Sequence, residues 1–312
     1  MNFPIQGIHH VTATVNDAQE DLDFYMKCLG LRLVKKTVNF DNHSVYHFYY
    51  GNEAGNPSTI MTTFPYKDKG IRTGVKGTGQ PIATSFSVPR GSYGFWKAHL
   101  KVHDVALTYD ETRMGDWVLG FDDPSGLRLE LIGADDARIP WLEGTIEETY
   151  AIRGIHSVTL LQKAAGPTRQ LMENHLNFQY VGEEGNRVRL AAAGGGAGKY
   201  VDLLIEPDRD RGRNGIGTVH HVALEIGSED IHKELRAFLV SHDFRVTEIK
   251  DRKYFRSIYF REPGGVLFEV ATSAPGFDVD EPLESLGRAL KLPVDVEAER
   301  QEIEKVLPEV EY

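Results

Sequence analysis

The chain has 312 residues, 41% of them hydrophobic, and a formal net charge of −11. That length accommodates two domains with sizeable cores, and the acidic balance argues against nucleic acid or anionic lipid as a partner. No run of 18 apolar residues offers a membrane-spanning helix, and a single cysteine, Cys28, excludes an intrachain disulfide and fits a reducing cytoplasm. Residues 1–7 carry neither the basic nor the apolar stretch of a secretory leader, so the expected location is cytoplasmic.

The first unit, residues 1–66, opens with a strand, Gly7-Ile8-His9-His10-Val11-Thr12-Ala13-Thr14-Val15. Asn16 and Asp17 are cap candidates, with Glu20 at capping-box spacing from Asp17. Leu22, Tyr25, Met26 and Leu29 then follow helical spacing up to Gly30, which suits a left-handed C-terminal residue. Strand-like runs at 32–37, 44–50 and 58–64 complete a βαβββ order.

The same order returns three times. In residues 80–135 a strand at 81–88, a helix at 93–100 carrying Trp96 and Leu100, and a last strand at 127–132 mark unit 2. In residues 151–206, Gly154-Ile155-His156-Ser157-Val158-Thr159 repeats the opening of unit 1, a helix covers 168–176 and a strand at 201–205 closes unit 3. Unit 4, residues 217–273, begins Val219-His220-His221-Val222-Ala223-Leu224. Its helix has Ser228 as N-cap, acidic Glu229 and Asp230 in the first turn, and Ile231, Leu235, Phe238 and Leu239 on one face. Pro124-Ser125-Gly126-Leu127-Arg128-Leu129-Glu130 echoes Pro263-Gly264-Gly265-Val266-Leu267-Phe268-Glu269 at the same distance from the unit's end. Loops are expected at 66–80, 134–152 and 206–217, a hairpin tip at 191–198, and an acidic tail at 274–312 with helices at 281–290 and 297–307. The fold class is α+β, built from four βαβββ units.

The repeat serves as its own control. The position of His10 is Ala83 in unit 2, Ser157 in unit 3 and His221 in unit 4. The position of Glu269 falls at about Met61 in unit 1, at Glu130 in unit 2 and at about Leu203 in unit 3. Units 1 and 4 together therefore supply two histidines and a carboxylate, which is the donor set of non-haem Fe(II) oxygenases and also of some zinc enzymes. The competing account, hydrogen-bonded core histidines beside a salt-bridged Glu269, does not explain why the histidine is absent from two of four equivalent positions. Glu130 lacks histidine partners and is expected to be structural. His99, His103, His175, His232 and His242 fall on helices or their ends and are expected to be solvated. Because the ligand set is divided between units 1 and 4, those two are expected to form one metal-bearing domain, with units 2 and 3 forming a metal-free one.

The sequence resembles the vicinal oxygen chelate superfamily (glyoxalases, bleomycin resistance proteins and extradiol dioxygenases), and within it the dioxygenases that cleave hydroquinone rings. The likeness rests on Ile8-His9-His10-Val11-Thr12, Met61-Thr62-Thr63-Phe64-Pro65, Ala151-Ile152-Arg153-Gly154-Ile155-His156, Gly182-Glu183-Glu184-Gly185-Asn186-Arg187, Glu206-Pro207-Asp208-Arg209, the whole of unit 4 and the tail motif Glu284-Ser285-Leu286-Gly287. It implies two cupped mixed-sheet domains and an Fe(II) site made by His10, His221 and Glu269. It further implies catalytic groups among His9, Thr12, His220, Arg252 and Tyr259, acting on an aromatic diol and O2. Two alternatives stay open at this level: a glyoxalase-like isomerase or lyase, which usually wants a second metal carboxylate, and a metal-free protein that sequesters aromatic compounds. The oligomeric state also stays open.

Overall fold

The computed structural model describes residues 1–312. Unit 1 comprises β1 (Ile5–Val15), α1 (Ala18–Leu22), β2 (Arg32–Asn39), β3 (Asn42–Gly51) and β4 (Ile60–Pro65). Unit 2 comprises β5 (Gln80–Pro89), α2 (Tyr93–Val102), β6 (Leu107–Arg113), β7 (Asp116–Asp122) and β8 (Arg128–Ala134). Unit 3 comprises β9 (Gly154–Gln162), α3 (Gly166–His175), β10 (Phe178–Glu184), β11 (Arg187–Ala192) and β12 (Tyr200–Ile205). Unit 4 comprises β13 (Thr218–Ile226), α4 (Glu229–Ser241), β14 (Lys250–Asp251), β15 (Arg256–Arg261) and β16 (Leu267–Thr272).

These strands make two curled eight-stranded mixed sheets, in the orders β14-β15-β16-β13-β1-β4-β3-β2 and β10-β11-β12-β9-β5-β8-β7-β6. Within a unit the first strand runs parallel to the last, while the antiparallel pairs β1/β13 and β5/β9 join units at the middle of each sheet. Parallel pairing needs a crossover, and the helix of each unit supplies it. One continuous apolar core takes Leu22 and Tyr25 from unit 1, Trp96 and Leu100 from α2, Leu171 and Met172 from α3, and Leu235 and Leu239 from α4. Each helix thus covers one face of its sheet, and the opposite, inward-curling face is free to hold polar groups. No helix is long and apolar enough to cross a membrane.

Local chemistry explains the helix starts. Asp17 caps α1, its carboxylate accepting from the backbone N–H of Gln19 and Glu20, and Ser228 caps α4 by accepting from Ile231 N–H. The helical pattern of Leu22, Tyr25, Met26 and Leu29 instead widens into a π-helical stretch, Asp23–Cys28. Its longer hydrogen bonds, such as Leu29 N–H to Phe24 O at 3.0 Å, turn Phe24 and Tyr25 into the core. The tail also departs from expectation. Only a 3-10 turn forms at Leu283–Ser285, and the regular helix α5 is confined to Arg300–Val306. Pro282 and Pro293 interrupt the helical pattern there. The tail is held to unit 1 by Lys35, whose buried ammonium lies 2.6 Å from Asp280 and 2.5 Å from Glu281. His232, expected to be solvated, is buried and bonds the Val270 carbonyl at 3.0 Å, because α4 presses that face onto β16.

The loops before β5 and before β13 zip together through backbone bridges Thr73↔Ile216, Val75↔Arg213 and Thr78↔Arg211. A Cβ on Gly77 would fall 2.4 Å from the Asp210 carbonyl oxygen, so this approach of two backbones requires glycine. Between units 1 and 2 lies a buried acidic pair. Asp21 accepts hydrogen bonds from Tyr50 at 2.7 Å and Thr63 at 2.5 Å, and Asp123 accepts from Tyr25 at 3.3 Å. Burial pushes the Asp21 carboxyl up to about 8 and the Asp123 carboxyl up to about 7.

The raised Asp21 value carries a definite sign. The folded state holds a proton that the unfolded state releases above its ordinary 3.8, so this contribution to stability is lost as pH rises toward about 8. Asp21→Asn is neutral at every pH and escapes that loss. Its stability relative to the parent, measured by urea unfolding, is expected to rise by about 1.4 kcal/mol per pH unit between roughly pH 5 and pH 7. A pH-independent difference would show that Asp21 is ionised in the folded protein.

Candidate metal centre

The centre of the first sheet is where β1 and β13 run antiparallel, with Thr12 opposite His221 and His10 opposite Ala223. β16 lies parallel to β13 and places Glu269 beside Ala223. The local two-fold relation of the two strands sets His10 and His221 diagonally across the seam, with Glu269 one strand further out. His221 Nε2 lies 2.7 Å from Glu269 Oε2, His10 Nε2 lies 3.3 Å from the same oxygen, and the two Nε2 atoms are 3.4 Å apart. All three residues are buried.

Glu269 Oε1 accepts a short hydrogen bond from Ser257 Oγ. Oε2 is buried and receives no hydrogen bond from a hydroxyl, amide or guanidinium; it faces the two histidine Nε2 atoms. Burial alone would raise the Glu269 carboxyl, but His10 and His221 outweigh it and hold it well below the usual carboxylate range. Burial also lowers the His221 imidazole, favouring its neutral form. Two imidazole nitrogens and one carboxylate oxygen converging on one point fit a divalent cation. An unpartnered buried carboxylate oxygen otherwise carries a desolvation cost with nothing to offset it.

The other sheet supplies the comparison. In the pairing of first and last strands, Ala223 faces Glu269, Ser85 faces Glu130, Thr159 faces Asp202 and Thr12 faces Thr62. The residues equivalent to Glu269 are therefore Thr62 in unit 1 and Asp202 in unit 3. The sequence estimates of Met61 and Leu203 are each off by one, and both of those side chains point into the apolar core. A one-residue slip exchanges the faces of a strand, and without the pairing register the slip was invisible. Glu130 is met by Arg113 through two bonds of 2.9 and 2.8 Å, and by Ser85 and Tyr109. Burial would raise its carboxyl, yet Arg113 brings it down to about 2. Asp202 is met by Arg189 at 2.7 and 2.9 Å and by Arg187 at 3.1 Å. Protein cations thus neutralise both acids of the second sheet, whereas Glu269 faces imidazoles.

Each triad histidine is backed by its predecessor in sequence. His9 Nδ1 lies 2.9 Å from His10 Nδ1, and His220 Nδ1 lies 2.7 Å from His221 Nδ1. In each doublet one Nδ1 donates and the other accepts; where the first histidine accepts, the triad histidine carries its proton on Nδ1 and presents a bare Nε2 to the centre. Burial, with the neighbouring triad histidine, lowers both His9 and His220 to about 3, so both are neutral. His9 packs against Phe255 behind the centre, whereas His220 borders the open cavity.

That cavity has a volume of about 250 Å³ and contains the triad in its floor. Thr12 lines it and receives a hydrogen bond from Thr62 at 2.9 Å. On the wall, Arg252 Nε donates to the Tyr259 hydroxyl at 3.2 Å while its Nη2 donates to Asp41 at 3.1 Å. Burial, followed by Glu269, raises the Tyr259 phenol far above its ordinary value and keeps it protonated. The structure thus gathers His10, His221, Glu269, Thr12, His220, Arg252 and Tyr259 around one cavity, with His9 one layer behind. Sequence reasoning missed His47, which is half-buried and bonded to Thr62 at 2.9 Å, and Asn39, Asp41 and Tyr66, which also line the cavity. His47 alternates in phase with Tyr49 along β3, a period-two signal that could have placed it on the inward face. Asn39 ends β2 and Asp41 lies in the turn that follows, and neither carries such a signal.

Comparison with known proteins follows the same lines. The sequence signature of the Glyoxalase/Bleomycin resistance protein/Dioxygenase superfamily matches residues 7–131 and 154–270. MhqO of Bacillus subtilis, provisionally named a ring-cleaving dioxygenase, is 44% identical over 302 residues, covering 96% of this chain and 95% of its own. Chlorohydroquinone/hydroquinone 1,2-dioxygenase of Sphingobium indicum is 38% identical over 308 residues, covering 96% and 95%. A crystal structure from Bacillus subtilis, provisionally named a dioxygenase, superimposes with a TM-score of 0.94 at 43% identity, covering 99% of this chain and 98% of that one.

The contrast between the two sheets is directly testable. Arg113→Met leaves Glu130 buried without its cation and is expected to lower unfolding free energy by about 3–5 kcal/mol, read by urea denaturation near neutral pH. A loss below roughly 1 kcal/mol would mean that Ser85 and Tyr109 suffice to hold the charge.

Proposed function

Because the chain belongs to the Glyoxalase/Bleomycin resistance protein/Dioxygenase superfamily, we propose that it is an Fe(II)-dependent, extradiol-type dioxygenase that opens the ring of hydroquinone or a substituted hydroquinone. The observation that carries this proposal is the buried, unpartnered Glu269 Oε2 facing His10 and His221 at the floor of an accessible cavity. The name of the Sphingobium relative supports hydroquinone over catechol. In this proposal units 1 and 4, residues 1–66 and 217–273, form the metal-bearing domain, and units 2 and 3, residues 80–135 and 151–206, form the metal-free one. Residues 274–312 are an added tail.

His10 and His221 would hold the metal through Nε2, and Glu269 through Oε2. When bound, the metal supplies positive charge that lowers the pKa of a phenol and open positions for substrate and O2. The chain's own groups do the rest. His9 accepts the Nδ1–H of His10 and so keeps His10 in the tautomer the centre needs. His221 likewise donates from Nδ1 to His220, leaving the His220 Nε2–H to donate a hydrogen bond to a substrate oxygen. Arg252 occupies a lone pair of the Tyr259 oxygen, which frees the Tyr259 O–H to donate to charge developing on the ring oxygen. Thr12 orients the near edge of the substrate, and Phe64 and Phe255 flank the cavity with apolar surface that restricts water. A hydroquinone reaches the metal through one oxygen only, so protein groups must hold the far hydroxyl. Asn39 and Tyr66, hydrogen-bonded to each other at 3.1 Å, stand at that end.

An isomerase of the same fold usually wants a second carboxylate, and the unit 1 position equivalent to Glu269 holds Thr62. Anaerobically reconstituted protein is expected to bind about one Fe(II) per chain. It should consume O2 stoichiometrically with hydroquinone, giving a ring-opened product, and turn over catechol more slowly. His10→Ala, His221→Ala and Glu269→Ala should each lose the iron, while Glu130→Gln retains it. Iron-loaded protein that converts a hemithioacetal yet consumes no O2 with any diol would assign it to the isomerases; tight binding of aromatics without metal would make it a sequestering protein. Tyr259→Phe is expected to keep its iron and lose about tenfold to a thousandfold in kcat. An unchanged kcat would remove Tyr259 from the proposed mechanism.

A further inference from the structure

A second set of donors, sharing no residue with the triad, converges at the seam between units 1 and 2. Cys28 ends the π-helical stretch of unit 1, and His99 and His103 lie four residues apart at the C-terminal end of α2. Cys28 Sγ and one ring nitrogen from each histidine lie within 4.8 Å of one another. Two histidines at this helical spacing project from one face, as a shared ligand requires. The negative end of the α2 dipole lies at the same place and favours a cation.

The orientation of His99 is set by its surroundings. Its Nε2 is 2.8 Å from the Cys28 carbonyl oxygen, an acceptor only, so Nε2 carries the proton and Nδ1 is left with a lone pair. Phe95 stacks on the His99 ring at 5.2 Å and is itself stacked on Tyr150 at 4.2 Å, which fixes the ring plane. The His103 ring lies 4.5 Å from that of His99 and is exposed, so it can turn onto a shared ion. On the other side, Thr145 Oγ donates to the Lys27 carbonyl at 2.9 Å and steadies the backbone that presents Cys28.

We propose that Cys28, His99 and His103 form a second metal site, distinct from the triad, that takes a thiophilic divalent cation of the zinc type. Water completes a tetrahedral shell. A sulfur and two imidazoles suit Zn2+ or Co2+ better than the harder cations that a carboxylate prefers. Binding forms one sulfur–metal bond and releases the thiol proton to solvent, with no change of oxidation state. The bound ion joins the helix of unit 1 to α2 of unit 2, so its role is to brace the two halves. This site is independent of the reaction proposed above.

Cobalt is the probe, and the chain's single thiol makes the readout specific. Co2+ added to the iron-loaded protein without oxygen is expected to produce a near-ultraviolet thiolate-to-cobalt charge-transfer band. That band saturates at about one equivalent and disappears on adding Zn2+, which binds such sites more tightly. Cobalt entering the triad gives no such band, because no sulfur is there. Cys28→Ser should abolish the band, and His103→Ala should weaken cobalt affinity by at least about tenfold. His103 is exposed, so its replacement leaves the fold intact. No band from the parent protein at saturating Co2+, or an equal affinity in His103→Ala, overturns the proposal.

Discussion

A carboxylate buried at the middle of a curled sheet has to be met by positive charge, and the two halves of this protein meet that requirement differently. Glu130, Asp202 and Glu269 occupy the same register position in three units, each beside the first strand of its own unit. In the second sheet the compensating charge is built in as Arg113 and Arg189. In the first sheet the neighbours are the imidazoles of His10 and His221. The same scaffold curls around a cavity in each sheet, with guanidinium groups against the carboxylate in one and two imidazoles against it in the other.

The histidine doublets extend the point from charge to direction. A ring nitrogen can ligate only if the opposite nitrogen carries the proton, and an adjacent histidine in an irregular strand provides the acceptor that enforces it. The strand irregularity between Ile8 and His10 allows His9 and His10 to bring their Nδ1 atoms together although regular β structure would send them to opposite faces. The two doublets then part company. His9 is buried against Phe255, whereas His220 opens to the cavity. Equivalent residues in duplicated units thereby stand in unequal surroundings, one behind the triad and one at the cavity.

Support for the cavity comes from parts of the chain remote from it in sequence. Phe277 of the tail packs on Tyr49, Tyr254 and Phe255, stiffening the wall behind the triad. Lys35 anchors that tail through Asp280 and Glu281. Asp41, in the turn between β2 and β3, holds Arg252 from unit 4. The wall of the site is therefore assembled across units.

The sequence by itself determined the four βαβββ units, the cap at Asp17 and the pairing of His10 and His221 with Glu269. Each of these is written in local periodicity or in comparison of the repeat with itself. Tertiary structure decided what depends on register and on contacts between distant segments. The positions equivalent to Glu269 proved to be Thr62 and Asp202, because pairing in a sheet sets the face of every residue and a slip of one reverses it. His47, Asn39 and Tyr66 enter the cavity only once β2, β3 and β4 are curled around it. Cys28 and the two histidines of α2 meet only because units 1 and 2 are packed against each other, a proximity that no spacing along the chain encodes.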